Sequence, residues 1–548
     1  MSKSSIEWFQ NARYGMFYHF GLYTLLGGNE NKVRKEWGKA EYRKLIEQFN
    51  PVNFDAEAWV DCAISMGAEY IVPTAKHAEG FCLWDSKLTE YKSTNTPFGR
   101  DIIGELSAAA KKKGIKFSFY FNLEAWMNEG DDIWNRQGMS YADFFQGQLE
   151  ELLTSYGPVS TIWFDHKTDE VPYERLKQII ARIKELQPDC LVNDRGITKL
   201  DPGLLGDYVT PEREVPEIDP EKNLIVECCD AMGVRSWGYC KDEGFWSVEV
   251  LGRKVSACAS KGYNYLLNVE PAPDGSIRPE CVCRAAGLGN WIRSHRTALQ
   301  AGPSAFEPCS NLQLQPSIGV STVDGNTLYL HLWQWPESDE VLLKATGTPV
   351  SAVFEDGTEL TLKTNESGIV MGGLPELAPG DSGPWIISLV YEGELEALPG
   401  VSKPVTDLLP GQSAYLIPAD ADIPFGSNFR GMKRVNINRF ADGKVSLGGF
   451  HNKGDLAVWQ VIAPDETEFD VYMSLGSIES QVDAGFELSS PISTLSGKSW
   501  FTGHYSTPER RHVGRISLAK GLNDIKLLVT SIPNGAFSDV HGIWLIPV

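Results

Sequence analysis

Seven polar side chains stand at the carboxyl ends of apolar, strand-like runs: His19, His77, Asn122, Asp165, Arg195, Glu212 and Glu227. Two carboxylates from different strands, flanked by His, Arg and aromatic residues, suit the hydrolysis of a glycoside. One carboxylate attacks or stabilises the anomeric carbon while the other protonates the leaving oxygen. Each residue alone has a plainer reading. An Asp after a strand can cap the next helix, and a single His at a strand end is more often a hydrogen-bond partner than a catalyst. Seven such ends on one face of a fold argue for a site.

The elements that must position them alternate regularly. The run Tyr156-Gly157-Pro158-Val159-Ser160-Thr161-Ile162-Trp163-Phe164-Asp165-His166 is a turn followed by a buried parallel strand that ends in an acid. Similar strands are predicted at 14–21, 69–77, 115–122, 190–196, 206–212, 224–228 and 262–269. Helical spacing is predicted over 53–67, with Asn53 as its cap, and over 101–113, 141–155, 172–186, 246–260 and 279–294. Eight strands alternating with helices in about 280 residues imply an α/β fold, a (β/α)8-like TIM barrel, whose active site lies at the carboxyl ends of its strands.

Beyond residue 302 the pattern changes to alternating β segments separated by turns such as Asp324-Gly325-Asn326. The expected organisation is a catalytic barrel over 1–302, a β-sandwich over 303–397, a linker, and a second β-sandwich over 405–548. The second sandwich resembles carbohydrate-binding appendages, with Trp500 and Tyr505 as the expected exposed aromatics; a sandwich that binds nothing fits the same pattern. The chain of 548 residues carries a net charge of -22, which argues against nucleic acid or an anionic membrane as partner. No apolar run reaches transmembrane length and no signal-like apolar start is present. The ten Cys show no zinc spacing and are read as reduced thiols, which gives a cytoplasmic expectation. No metal motif, phosphate loop or serine-nucleophile elbow is found, so no cofactor is expected.

Several motifs, taken in order, resemble the α-L-fucosidases of glycoside hydrolase family 29. They are Ala12-Arg13-Tyr14-Gly15-Met16-Phe17-Tyr18-His19-Phe20-Gly21, Glu36-Trp37, the run from Thr74 to Ser86, Tyr156-Gly157-Pro158 with Trp163-Phe164-Asp165, Asn193-Asp194-Arg195-Gly196, Ser236-Trp237-Gly238-Tyr239 and Leu266-Leu267-Asn268-Val269. They cover about residues 6–300. The resemblance implies a retaining exo-hydrolase acting on a terminal α-L-fucose of a glycan. Asp165 falls at the nucleophile position. Glu212, in Thr210-Pro211-Glu212, is the implied acid/base, expected to be buried, with Glu227 as the rival. His19, Glu36, Trp37, His77, Arg195 and Trp237 are the implied sugar contacts, and Phe20 or Trp237 would meet the fucose methyl. The chain departs from the family's usual His-His-Asp-Gly-Phe at His77-Ala78-Glu79-Gly80-Phe81. Ala78 is expected to open space around one hydroxyl, and Glu79 is read as a loop residue facing solvent. A related sugar such as an α-L-galactoside, or a glycan-binding protein without turnover, are the alternative readings. The sequence leaves the oligomeric state open.

Overall fold

The computed structural model describes residues 3–28, 36–124, 138–196, 206–216, 223–310, 318–336, 338–378, 383–398, 405–421, 435–439 and 445–548. Strands Tyr14–Tyr18, Tyr70–Lys76, Phe119–Asn122, Thr161–Asp165, Leu191–Val192, Glu227–Ala231 and Asn264–Val269 pair in parallel. Between Leu191–Val192 and Glu227–Ala231 the ring is completed by residues 208–212, through parallel bridges Asn193–Tyr208, Val209–Val226 and Glu212–Cys229. The first strand pairs with the last, Tyr14 opposite Tyr265, so the eight segments close into a barrel. The sixth predicted strand is thus a bridged segment rather than a full ladder, for a local reason. Pro211 has no N–H to donate, and the Asp207 carboxylate accepts the Val192 N–H at 2.8 Å in place of a backbone carbonyl.

Side chains alternate across each strand, as the period of two requires. Phe17, Tyr70, Val72, Tyr120, Trp163, Leu191, Tyr208, Cys229 and Leu266 fill the barrel, and Phe9 and Ala12 of helix Lys3–Ala12 join the same cluster. Their neighbours Met16, Tyr18, Ile71, Phe119, Phe121, Ile162, Phe164 and Leu267 face outward into a second layer, packed under the helices. Helix Ala56–Met66 starts at Asp55, whose carboxylate accepts from the N–H groups of Glu57 and Ala58. Asn53, the expected cap, instead donates to Asp274 at 2.8 Å. The closing helix Pro279–Ser294 crosses Ala56–Met66 at Gly289, where an added Cβ would lie 1.8 Å from the Ser65 carbonyl oxygen.

Residues 302–397 form a nine-stranded antiparallel sheet folded over its own apolar cluster, which includes Leu330, Ile369 and Ile387. It is tied to the barrel helices by Trp291, which donates to the Pro384 carbonyl, and by Thr322, which donates to that of Ala298. Residues 405–548 contribute a five-stranded and a six-stranded sheet around a third cluster that includes Trp459, Phe486 and Val471. Trp500, expected on the surface, belongs to this cluster and is buried, whereas Phe501 and Tyr505 are exposed. Among the described residues no helix is long and apolar enough to cross a membrane.

Candidate active site

The carboxyl ends of the barrel strands open into a cavity of about 170 Å³. Its charged floor is Asp165, Arg195 and Glu212. Arg195 donates from one guanidinium nitrogen to Asp165 at 2.9 Å and from the other to Glu212 at 3.0 Å. Its remaining bonds go to the hydroxyl and carbonyl of Thr210, and its guanidinium lies 4.4 Å from the centre of the Trp163 ring. A planar fork held on three sides in this way is a rigid bridge between the two carboxylates. Tyr120 donates to the other Asp165 oxygen at 3.0 Å. Burial on its own would raise the Asp165 pKa, but Arg195 and His166 outweigh it and hold the carboxyl well below the usual carboxylate range. Asp165 is therefore ionised at neutral pH.

Two asparagines fix the imidazoles around this floor. The Asn122 carbonyl oxygen accepts the Glu124 N–H, which sets the amide so that its NH2 donates to Tyr120 Oη and to His166 Nδ1 at 2.8 Å. His166 Nε2 therefore carries the proton, and it lies 3.9 Å from Asp165. The backbone of His166 has φ 53°, a left-handed conformation rare for a side chain of this type, and it turns the ring over the strand end. Asn268 donates its NH2 to the Trp237 carbonyl and accepts at Oδ1 from both the backbone N–H and Nδ1 of His19, the latter at 2.7 Å. His19 Nε2 is then a lone-pair acceptor. Burial and the neighbouring His77 push its pKa down to about 3, so the ring is neutral. His77 stacks flat on Tyr120, with ring centres 5.3 Å apart and planes 9° apart, and Trp237 closes the wall beside His19.

The structure brings together His19, His77, Asp165, Arg195, Glu212 and Trp237 of the residues singled out from the sequence. Glu36 and Trp37 are exposed and do not line the cavity. Phe20 is buried against Phe49 and Trp59 in the outer layer, so it meets no sugar. Ala78 is buried and opens no space in the cavity, and Glu79 is buried beside His77 rather than solvated. Glu212, expected to be buried, has a side chain 43 % exposed. Glu227 lies wholly inside the barrel beneath the site. One of its oxygens accepts from Tyr70 at 2.5 Å and the other from Trp163 Nε1 at 2.8 Å, and burial raises its pKa to about 7.

Sequence reading missed Phe17, Tyr120, Trp163 and His166 as cavity residues. The signal was present for three of them: each lies two positions before a polar strand end, and so on the same inward face. His166 carried no such signal, because a left-handed backbone places it. Among the described residues no group of three His, Cys, Asp or Glu side chains could hold a metal ion.

A family model described as alpha-L-fucosidase matches residues 1–296. The chain belongs to the α-L-fucosidase family. Tissue alpha-L-fucosidase of Mus musculus is 27 % identical over 408 residues, which is 68 % of this chain and 88 % of that protein. The solved structure of alpha-L-fucosidase isoenzyme 1 from Paenibacillus thiaminolyticus is 30 % identical, with TM-score 0.62 over 71 % of this chain and 99 % of that one. An alpha-L-fucosidase from Bacteroides thetaiotaomicron, solved as a trapped covalent intermediate with 2-fluoro-fucosyl fluoride, is 28 % identical with TM-score 0.62, over 72 % of this chain and 97 % of that one. The fold of an alpha-L-fucosidase from Vibrio sp. strain EJY3 extends over the whole chain, at 21 % identity and TM-score 0.69. The fucosidase family thus accounts for the barrel by sequence, and for the barrel with both following β regions by fold.

Proposed function

We infer that the chain is a retaining exo-α-L-fucosidase that removes terminal fucose from glycans. The observation that carries this reading is the pair Asp165 and Glu212, facing one cavity of sugar size at the carboxyl end of a family barrel and joined by Arg195. Asp165 is ionised, desolvated and aimed into the cavity, as a nucleophile needs to be. It attacks the anomeric carbon while Glu212 protonates the leaving oxygen. Glu212 then takes a proton from the water that releases the sugar from Asp165, and two inversions give net retention. The exposure of Glu212 suits this role, because it leaves the carboxylate open to the aglycone and to water, and a bound glycan would cover it. His19 and His77 are placed to bond ring hydroxyls, and Trp237 supplies an apolar wall.

Glu227 is set aside as the acid because both its oxygens are engaged beneath the floor. We place the chain in the cytoplasm on the strength of its cysteines, read as thiols, and subcellular fractionation tests that. The chemistry is tested by turnover of an aryl α-L-fucoside with the wild type and with Asp165→Ala in the presence of azide. An active wild type, a nearly inactive variant and a β-fucosyl azide product fit the reading. Full activity of Asp165→Ala, or turnover of α-L-galactosides in place of fucosides, overturns it.

A further inference from the structure

The two imidazoles of the cavity, His19 and His77, stand with ring centres 5.7 Å apart, yet the groups behind them differ. Behind His19 is the neutral amide of Asn268, which leaves Nε2 as an acceptor. Behind His77 is a carboxylate: Glu79 Oε2 lies 3.6 Å from His77 Nδ1. Glu79 is only 4 % exposed. The backbone is shaped to admit it, since a Cβ at Gly21 would lie 2.5 Å from Glu79 Oε1. Among the described residues its ion pair is the one with His77. A buried carboxylate is costly unless a cation offsets it, and an imidazole stacked on Tyr120 has an electron-rich ring face that favours the same cation.

We propose that Glu79 is a positioning residue for sugar recognition: it presents His77 to the cavity as a cationic hydrogen-bond donor, opposite His19, which Asn268 presents as an acceptor. Because Nδ1 faces Glu79, the donor on the far side of the ring is Nε2–H. The two rings together then read a single sugar hydroxyl in both senses: the hydroxyl donates to His19 Nε2 and accepts from His77 Nε2–H. A pocket built from two acceptors, or from two donors, could not do this with one hydroxyl. The inference rests on the sugar site proposed above and assigns how that site selects its ligand.

The groups that face His77 are Glu79 from its own loop, His19 and Tyr23 from the first strand and the turn after it, Tyr120 from the third strand and His166 from the fourth, with Asp165 and Arg195 across the cavity. Of these, Glu79→Gln removes only the charge behind Nδ1 and keeps the size. KM for an aryl α-L-fucoside is expected to rise with pH as His77 loses its proton. In Glu79→Gln that rise should begin about one pH unit lower, giving up to about a tenfold higher KM in the window between, with little change in kcat. A deoxy-fucoside lacking the shared hydroxyl should show no such difference between the two proteins. Equal KM profiles, or a loss confined to kcat, would overturn the proposal. Should Glu79→Gln not fold, histidine ring ¹⁵N shifts of the wild-type chain, assigned with His77→Asn, decide the matter: a neutral His77 at pH 6 refutes it. A wild type that binds fucose calorimetrically without turning over the fucoside would refute the hydrolase reading, while the pH dependence of that binding still tests Glu79.

Discussion

Glu212 and Glu227 are both carboxylates on the inner side of the barrel, and isosteric replacement separates them. Glu212→Gln removes the proton donor to the leaving oxygen while keeping a bond to Arg195. General acid catalysis contributes about 10²- to 10⁴-fold, or roughly 3–5 kcal/mol of barrier, and the loss should be largest for fucosides with basic leaving groups. Glu227→Gln is different because neither oxygen reaches the cavity. The amide oxygen can accept from Trp163 Nε1–H, and the amide NH2 can donate to a Tyr70 hydroxyl turned to accept. Trp163 then still supports the Arg195 guanidinium, and kcat/KM should fall by less than about tenfold, since no proton transfer is lost. The assay is kcat/KM over a series of aryl α-L-fucosides whose phenols differ in acidity. A steep dependence on leaving group in Glu212→Gln and a flat one in Glu227→Gln are expected. The reasoning is refuted if Glu227→Gln shows the steep dependence, or if Glu212→Gln loses nothing with the poorest leaving group.

Further outcomes follow from the same contacts. Glu227 has its folded pKa raised to about 7, so its protonated form favours folding. That contribution is fully present below about pH 4.5 and is lost as pH rises through about 7, a change of roughly 3 kcal/mol. Denaturant unfolding at pH 5 and pH 8 should therefore show the wild type losing stability relative to Glu227→Gln, and parallel curves would refute it. Arg195→Gln should lower kcat/KM by about 10²-fold or more. It should also move the acidic limb of the pH profile upward, because the cation that holds Asp165 low is gone; an unmoved limb in the kinetics counts against this. Gly289→Ala places a methyl against the Ser65 carbonyl and should cost about 1–3 kcal/mol in unfolding measurements. An unchanged midpoint would mean that the two helices do not meet so closely.

The barrel was legible because its strands are buried on both faces and its helices carry a clear apolar stripe. Asp165, Arg195 and His77 were legible because strand ends in such a fold converge. The sixth strand was harder, since the carboxylate of Asp207 replaces part of its ladder and only a register with Val192 exposes that. Trp37 and Phe20 illustrate the limit of adjacency: each is close in sequence to His19, but one falls on the surface and the other on the outward face of the chain. Glu79 looked like a loop acid because nothing local encloses it. Its burial comes from Gly21, Tyr42 and Tyr91, and the charge reaches far enough to help raise both tyrosines well above their ordinary range, after burial itself.

The pairing of Tyr14 with Tyr265 puts the seam of the ring between the earliest and the latest strands of the barrel. During synthesis the first strand therefore waits, with one edge open, for some 250 residues before its partner leaves the ribosome. An unclosed half-barrel exposes both that edge and the aromatic interior seeded by Phe9 and Phe17, the kind of surface on which nascent chains associate wrongly. Translation stalled before Asn264 should thus yield an aggregating chain, and one released just past Ser294 should be the shortest with a closed ring.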